Sequence, residues 1–274
     1  MSLRPSAPTG KELVFLEAPP QRAGEIHLRS THALIDRIIE LDASPLTKPR
    51  AISKRVLGRC HHFALLAVAA LRAHGTPACA RCGFGAYFNP PNFEDHWVCE
   101  YWNGERWILA DPQFDAVWVE KLKVRHDVLD VPRDQFLVAA EGWRQCRAGK
   151  LDSGRFGIEF VKLRGLWFIA GSLIRDLAAM NKVELLPWDI WGAQPQPNAE
   201  LTEDQLRFFD RLAELTCEPE QRFEELRESY RADERLRVPP QVFNSLTQTL
   251  EPVDAVKGSG SRSSKPHSTA ASHL

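Results

Sequence analysis

The sequence predicts an α+β domain, in which a central helix packs on an antiparallel sheet, followed by an all-helical C-terminal extension. Residues 63–71 are apolar on every side of a helix, which is typical of a helix buried at the centre of a domain. Residues 79–88, 96–102 and 105–110 are rich in aromatic and β-branched side chains and predict strands. Beyond Gly157 the apolar spacing becomes helical, which predicts the extension.

The chain of 274 residues is long enough for one large domain or two small ones, since a domain typically has roughly 100–200 residues. A first segment with four prolines predicts an irregular arm, and a Gly- and Ser-rich end predicts a disordered tail. We expect four parts: the arm at 1–31, the α+β domain at 32–150, the helical extension at 151–256 and the tail at 257–274.

Capping residues set the starts of the predicted helices. Ser30 or Thr31 can cap a first helix, and a second helix is predicted at 60–74. In the extension, the capping box Thr202-x-x-Gln205 precedes a helix. The predicted helices of the extension lie at roughly 164–181, 203–216 and 219–235.

The dipeptide Asn103-Gly104 predicts a β-hairpin. If these two residues form the loop, the numbers of paired residues sum to 207, and His96 faces Asp111. Directly opposed residues have Cβ atoms about 4.5–5.5 Å apart, so the carboxylate can accept a hydrogen bond from the imidazole. Such a pair fixes the tautomer of the imidazole and raises the basicity of its other nitrogen, as a general base requires.

Cys60 stands at the start of the predicted buried helix. The unpaired N–H groups and the dipole of a helix N-terminus favour the thiolate form of a cysteine, as do nearby cations. Residues 44–59 contain five basic side chains and no acidic one, which adds to this effect. The Cys60 N–H can also donate to a developing oxyanion. We therefore expect Cys60 as nucleophile, His96 as base and Asp111 as the group that orients the base.

These residues lie in motifs that resemble the transglutaminase-like superfamily of papain-fold cysteine enzymes. In that family a Gly-x-Cys opens the central helix, a His precedes a Trp on the next strands, and an Asp-Pro follows a Gly-x-x-Trp hairpin. Residues 54–115 contain these elements in order, as Gly58-Arg59-Cys60, His96-Trp97, Gly104-Glu105-Arg106-Trp107 and Asp111-Pro112.

The resemblance implies a papain-like or transglutaminase-like core, with the catalytic domain at 32–150. It also implies acyl transfer through a thioester on Cys60, with His96 as base and acid and Asp111 as its orienter.

The chain departs from the family at several points. Cross-linking transglutaminases have Gln before and Trp after the nucleophile, where this chain has Arg59 and His61. Residues 22–59 contain no Gln, Asn, Trp or Tyr, so the second oxyanion donor is unidentified. No run of alternating Asp residues with a Gly suggests a calcium loop, so we do not carry over the calcium dependence of the animal enzymes and expect no cofactor.

Three residues near the predicted triad are candidates for substrate binding: His61, Trp97 and Glu100. The alternative to substrate binding is packing in the core for His61 and its neighbour His62. For Glu100 the alternative is a solvated carboxylate on a strand. No further ligand lies at helical spacing from the two histidines, so we predict no metal site.

Two other features have competing interpretations. The basic side chains at 44–59 either steer an anionic substrate or are simply solvated, and the second is commoner. The loop with Trp188, Asp189 and Trp191 either shapes the mouth of a pocket or attaches the extension to the first domain, and we favour attachment.

Composition excludes several classes of protein. The formal net charge of -1 argues against a nucleic-acid binder, and the apolar runs are about half as long as the ~18 residues of a membrane span. The N-terminus has no export signal, so we expect a cytoplasmic protein, with its six cysteines as free thiols. The motif Cys79-x-x-Cys82 lacks a second ligand pair at zinc spacing, which favours core packing.

The sequence thus predicts a transglutaminase-like cysteine enzyme that acts on a peptide, protein or small-molecule amide, with an amine as a further partner in transfer. Two alternatives stay open: a cysteine protease or amidase that uses the same triad, and a binding module that has kept the fold without catalysis.

Overall fold

The computed structural model describes residues 3–5 and 20–253. Most of the predicted arm at 1–31 and all of the predicted tail at 257–274 lie outside the described residues. The helices are α1 Thr31–Leu41, α2 Cys60–Ala73, α3 Ala116–Leu122, α4 Ala139–Arg147, α5 Leu166–Met180, α6 Glu203–Cys217 and α7 Phe223–Ala232. The strands are β1 Leu3–Pro5, β2 Val56–Gly58, β3 Ala78–Gly85, β4 Phe93–Trp102, β5 Trp107–Ala110, β6 Phe136–Val138, β7 Phe156–Ile158, β8 Leu163–Arg164, β9 Asp189–Ile190, β10 Gln241–Asn244 and β11 Thr249–Pro252.

The predicted helix caps are confirmed. The Ser30 hydroxyl accepts a hydrogen bond from the N–H of Ala33 at 3.2 Å, and Thr202 and Gln205 form the capping box of α6. Among the described helices, none combines the length and the apolar character needed to cross a membrane.

A sheet of six strands forms the centre of the molecule. Strands β6, β3, β4, β7 and β8 follow in that order, and β5 also pairs with β4. On the side away from β3, β5 pairs with residues 99–102 of β4 and β7 pairs with residues 93–94. No described strand pairs with residues 95–98 on that side, so the sheet has a gap beside the middle of β4.

Helix α2 packs on this sheet. Its apolar residues Ala64, Leu65 and Val68 contact a cluster that includes Cys82 on β3 and Trp97 on β4. The central helix therefore has little polar surface because the strands cover it. This arrangement confirms the predicted α+β core.

A second, larger core joins the sheet to the part of the chain beyond residue 150. It includes Phe84 of β3, Phe156 of β7, Leu173 of α5 and Phe209 of α6. The prediction that 151–256 is all helical is wrong, because β7 to β11 lie there and β7 and β8 complete the central sheet. Strands of two to four residues are too short to give a periodic pattern in the sequence. The boundary near residue 150 stays a prediction.

The hairpin of β4 and β5 has a different register from the one predicted. Paired residue numbers sum to 209, as in Cys99 with Ala110, so the value of 207 is wrong. The side-chain oxygen of Asn103 accepts the N–H groups two and three residues later, at 2.9 and 2.8 Å. Gly104 then adopts φ +105°, which centres the turn one residue further along the chain.

This shift leaves the two predicted partners on one face of the hairpin. A change of one residue in pairing would move a side chain to the other face, whereas His96 is displaced by two residues relative to Asp111. The two side chains therefore meet diagonally rather than directly opposite each other.

Candidate active site

Cys60 is the first residue of α2, and its side chain is partly exposed. The start of the helix is fixed by His62, whose Nδ1 accepts the N–H of Arg59 at 2.9 Å. The Nε2 of His62 donates to the carbonyl of Leu28 at 3.0 Å. Burial lowers the pKa of His62 to about 4, so this ring is neutral and serves as a helix cap rather than as a base.

His96 and Asp111 form a buried hydrogen-bonded pair. The Nε2 of His96 lies 2.7 Å from Oδ2 of Asp111, and the side chains are almost fully buried. The hydroxyl of Tyr87 donates to the same oxygen at 2.7 Å, and the N–H of Gln113 donates to the other oxygen at 3.2 Å. Three donors thus hold the carboxylate, and the carboxylate in turn fixes the imidazole.

Cys60 lines the same cavity as His96, and its sulfur is among the groups that raise the pKa of the imidazole. Burial acts against the charged imidazolium, but the charge of Asp111, the hydrogen bond that its carboxylate accepts and the interaction with Cys60 prevail and raise the pKa of His96 to about 10. The ring is therefore protonated at neutral pH and can act as an acid toward a leaving group.

Aromatic rings surround this pair. The ring of Phe88 lies 4.7 Å from that of His96, and the rings of Tyr87, Phe114 and Phe136 lie at 6.3 to 6.4 Å. These rings keep water away from the imidazole, which strengthens its electrostatic interaction with the carboxylate.

Cys60 and His96 open onto a cavity of about 510 Å³. One side is formed by residues around the nucleophile and the gap beside β4, and the other by segments 158–175, 187–197 and 245–246. The second side is mainly apolar, and Phe160 stands 58% exposed on the wall of the cavity. The volume suits a small molecule or one side chain of a larger substrate.

The structure places the three predicted substrate-binding residues away from this cavity. His61 is 1% exposed, and neither ring nitrogen has a hydrogen-bond partner. Trp97 lies in the core between α2 and the sheet, because alternation turns it away from the face that carries His96. Glu100 is buried in ion pairs with Arg81 and Arg133. The positions of His61, Trp97 and Glu100 do not support contact with a substrate here.

In the loop with Trp188, Asp189 and Trp191, one residue lines a pocket and two attach parts of the chain to each other, so each of the two interpretations holds for part of the loop. Trp188 lines the cavity, which agrees with the interpretation that the loop shapes a pocket. Asp189 is fully buried and accepts hydrogen bonds from Arg29 at 2.9 and 2.7 Å. Trp191 lies in the larger core and donates to the carbonyl of Leu236 at 3.2 Å. These two residues do attach one part of the chain to another.

Sequence reasoning missed several residues of the site. Tyr87, Phe88 and Gln113 have no spacing that marks them, because only the folded sheet brings them to His96. Side chains able to donate to an oxyanion occur on the cavity wall in Gln113, Trp188 and Gln194, downstream of the nucleophile. Among the described residues, no group of three His, Cys, Asp or Glu side chains could hold a metal ion.

Comparison with known proteins agrees with the motifs. The model of the transglutaminase-like superfamily matches residues 38–112, a segment that contains Cys60, His96 and Asp111. This confirms the resemblance over that segment. Comparison with curated proteins found no match for the chain.

One solved structure is similar over part of the chain: the crystal structure of a putative cysteine protease from Cytophaga hutchinsonii. The two share 22% identity over 39% of this chain, with a TM-score of 0.22, and the match spans about a third of that structure's length (34%). A similarity this loose supports no conclusion about fold or activity.

Proposed function

We propose that this chain, whose segment 38–112 matches the model of the transglutaminase-like superfamily, is a cysteine enzyme that transfers an acyl group from an amide through a thioester on Cys60. The observation that carries the proposal is the buried pair of His96 and Asp111, with 2.7 Å between Nε2 and Oδ2, beside Cys60 on the wall of one cavity. Nucleophile, base and orienter within hydrogen-bond reach are what nucleophilic catalysis requires.

The reaction proceeds in two steps. The sulfur of Cys60 attacks the amide carbonyl, the C–N bond breaks, and the imidazolium of His96 gives its proton to the leaving amine. An acceptor amine then attacks the thioester, His96 takes a proton from it and becomes an imidazolium again, and the C–S bond breaks to release the new amide and the sulfur of Cys60. Water in place of the amine would give a carboxylic acid. The apolar wall of the cavity disfavours water, which supports transfer over hydrolysis.

Substitution of the nucleophile tests the proposal. We expect wild-type protein to release p-nitroaniline from some member of a panel of acyl p-nitroanilides and to show the acyl adduct on Cys60 by mass spectrometry. In Cys60→Ser the rate should fall by about a thousandfold or more. Cys146→Ser is the matched control, because burial raises the pKa of that thiol to about 12 and it lies outside the cavity.

The products distinguish transfer from hydrolysis. With hydroxylamine present, transfer predicts an acyl hydroxamate in excess of the free acid. Free acid alone would contradict transfer and favour the protease or amidase alternative. A Cys60 thiol that reacts with iodoacetamide at neutral pH no faster than Cys146, and equally fast in His96→Ala, would contradict catalysis altogether and favour the binding module.

A further inference from the structure

Besides the imidazolium of His96, four charged side chains line the active-site cavity, and three of them have a counterpart among the described residues. Glu94 pairs with Arg164, with 3.6 Å between Oε1 and Nη2. Burial raises the pKa of Asp95, and the charge of Arg175 acts in the opposite direction as its counterpart. The fourth, Arg59, differs from the others and directly precedes the nucleophile in the chain.

Arg59 has no carboxylate partner in the part of the chain that the structure describes. Its guanidinium lies over the indole of Trp188, 5.4 Å from the ring centroid, and its Nε is buried without a hydrogen-bond partner. Burial lowers the pKa of Arg59, and the sulfur of Cys60 is the group that acts in the opposite direction. A guanidinium stays charged in proteins, and a desolvated charge is costly unless an anion pairs with it.

Arg59 is also distinct within the basic segment at 44–59. Arg50 is buried and donates to carbonyl oxygens, for example that of Asp42 at 3.1 Å, and Arg55 donates to the carbonyl of Arg50 at 3.0 Å. Lys54 is exposed. Of the five basic residues in this segment, all of them described, Arg59 is the one that lines the cavity.

The rest of the cavity sets the character of the ligand. Phe160, Leu163, Trp167 and Phe168 form an apolar wall, so the bulk of a ligand is expected to be apolar. A guanidinium binds carboxylates and phosphates through paired N–H groups. A carboxylate fits better, because the cavity already holds two acidic side chains that would repel a doubly charged phosphate.

We propose that Arg59 binds a carboxylate of the substrate, so that Cys60 acts on amides that carry a carboxylate a few bonds from the scissile carbonyl and an apolar group beyond it. The short separation follows because Arg59 and Cys60 are consecutive residues that line the same cavity. This inference rests on the proposed function, since it assigns the substrate class of the same site.

Two alkylating reagents of nearly equal size test the inference. Iodoacetate and iodoacetamide both form a thioether with Cys60 and release iodide, and they differ in charge. We expect the ratio of the iodoacetate rate to the iodoacetamide rate to fall by about fivefold or more in Arg59→Gln, because a cation within a few ångströms attracts the anionic reagent. Lys54→Gln, which removes an exposed cation of the same segment, should leave the ratio unchanged, and Arg59→Lys should retain most of it.

A second measurement needs no variant. Phenylacetate should protect Cys60 of the wild-type protein from iodoacetamide, whereas phenylacetamide, which lacks the charge, should protect at least about tenfold less well at the same concentration. Mass spectrometry of the Cys60 peptide measures both rates, and thermal unfolding shows that each variant is folded.

The outcomes separate the two proposals. If Arg59 acted on the thiolate alone, both alkylation rates would fall together in Arg59→Gln, and the constant ratio would overturn the inference. Equal protection by phenylacetate and phenylacetamide would also overturn it. A Cys60 that reacts slowly with both reagents in the wild-type protein contradicts the proposed function, and the ratio between the reagents still reports on Arg59.

Discussion

Two clusters of buried charge lie on the same face of β4, and they differ in whether their charges are satisfied within the protein. In the first, Arg81 is fully buried and pairs with Asp176, at 2.9 Å, and with Glu100, which in turn pairs with Arg133. In the second, His96 pairs with Asp111 at 2.7 Å and lines the cavity together with Cys60.

The first cluster is closed and the second is open. Asp176 also accepts the N–H of Cys82 at 2.8 Å, so the first cluster joins α5 to the edge of β3. The second cluster ends at a cavity, where Cys60 and Arg59 have no further partner of fixed charge among the described residues. Buried charge that is fully paired holds elements together, whereas buried charge left open at a cavity is available for binding and chemistry.

Asp111→Asn is expected to have the largest effect, because it breaks the open cluster. An amide in place of the carboxylate can stabilise the wrong tautomer of His96 and cannot stabilise its charge. We expect turnover to fall by about three to four orders of magnitude, as in other triads. Steady-state rates on a reactive p-nitroanilide measure this. Asp130→Asn removes an exposed carboxylate and should leave the rate unchanged. Near wild-type turnover in Asp111→Asn would remove this residue from the mechanism.

Arg81→Met breaks the closed cluster, because it leaves Asp176 buried without a cation and Glu100 with Arg133 as its remaining cation. The free energy of unfolding should fall by about 3–5 kcal/mol, measured by urea unfolding. Arg106→Met is the control, because Arg106 forms an exposed pair with Asp130 that contributes about 0–1 kcal/mol. The alkylation rate of Cys60 in the folded Arg81→Met protein should equal that of the wild type. A slower rate would show that the two clusters are coupled.

Tyr87→Phe sharpens the comparison by removing one hydrogen bond to Asp111 without changing the ring. A hydrogen bond to a charged group contributes about 1.5–3 kcal/mol, and part of this acts on the ground state, so turnover should fall by about tenfold. Tyr101→Phe, on a tyrosine outside the cavity, is the control for loss of a hydroxyl. Equal rates in both variants would mean that the Tyr87 hydroxyl has no part in positioning Asp111.

Stability should depend on pH through the open cluster. The pKa of His96 rises from its ordinary value of 6.5 to about 10 in the folded protein, so its protonation stabilises the fold fully below pH 6.5. This contribution is lost as the pH rises toward 10. We expect the melting temperature of the wild type to fall over this range by a few degrees more than that of His96→Gln. Parallel curves for the two proteins would contradict the raised pKa.

The sequence predicts the proposed triad better than it predicts the residues of the cavity wall. Cys60, His96 and Asp111 each stand beside a local signal: a helix start, a strand and a hairpin. The hairpin signal placed the turn wrongly, because the side chain of Asn103 competes for backbone N–H groups. The error of two residues in register still leaves His96 and Asp111 on the same face of the hairpin, since side chains two residues apart on a strand point to the same face.

The cavity wall depends on contacts between distant parts of the chain. Phe160 and Trp188 line the same cavity as Cys60 because β7 extends the central sheet and a shared core packs the later segments against that sheet. Strands of two or three residues and contacts across a hundred positions leave no periodic trace in a sequence. The sequence marks Arg59 as one of five basic residues and as a departure from the family before Cys60, but sequence spacing does not show which cation lacks an anion.

The gap between β5 and β7 has a consequence for how this protein can be altered. The proposed nucleophile and base lie in the segment 38–112, whereas most of the apolar cavity wall comes from residues after 157. The two parts meet at the gap beside residues 95–98 of β4. Exchange of residues 158–163 would therefore change which ligands the cavity accepts and leave the proposed triad of Cys60, His96 and Asp111 unaltered. Residues 38–112 grafted alone onto another scaffold would carry the proposed triad without the cavity wall that selects the ligand.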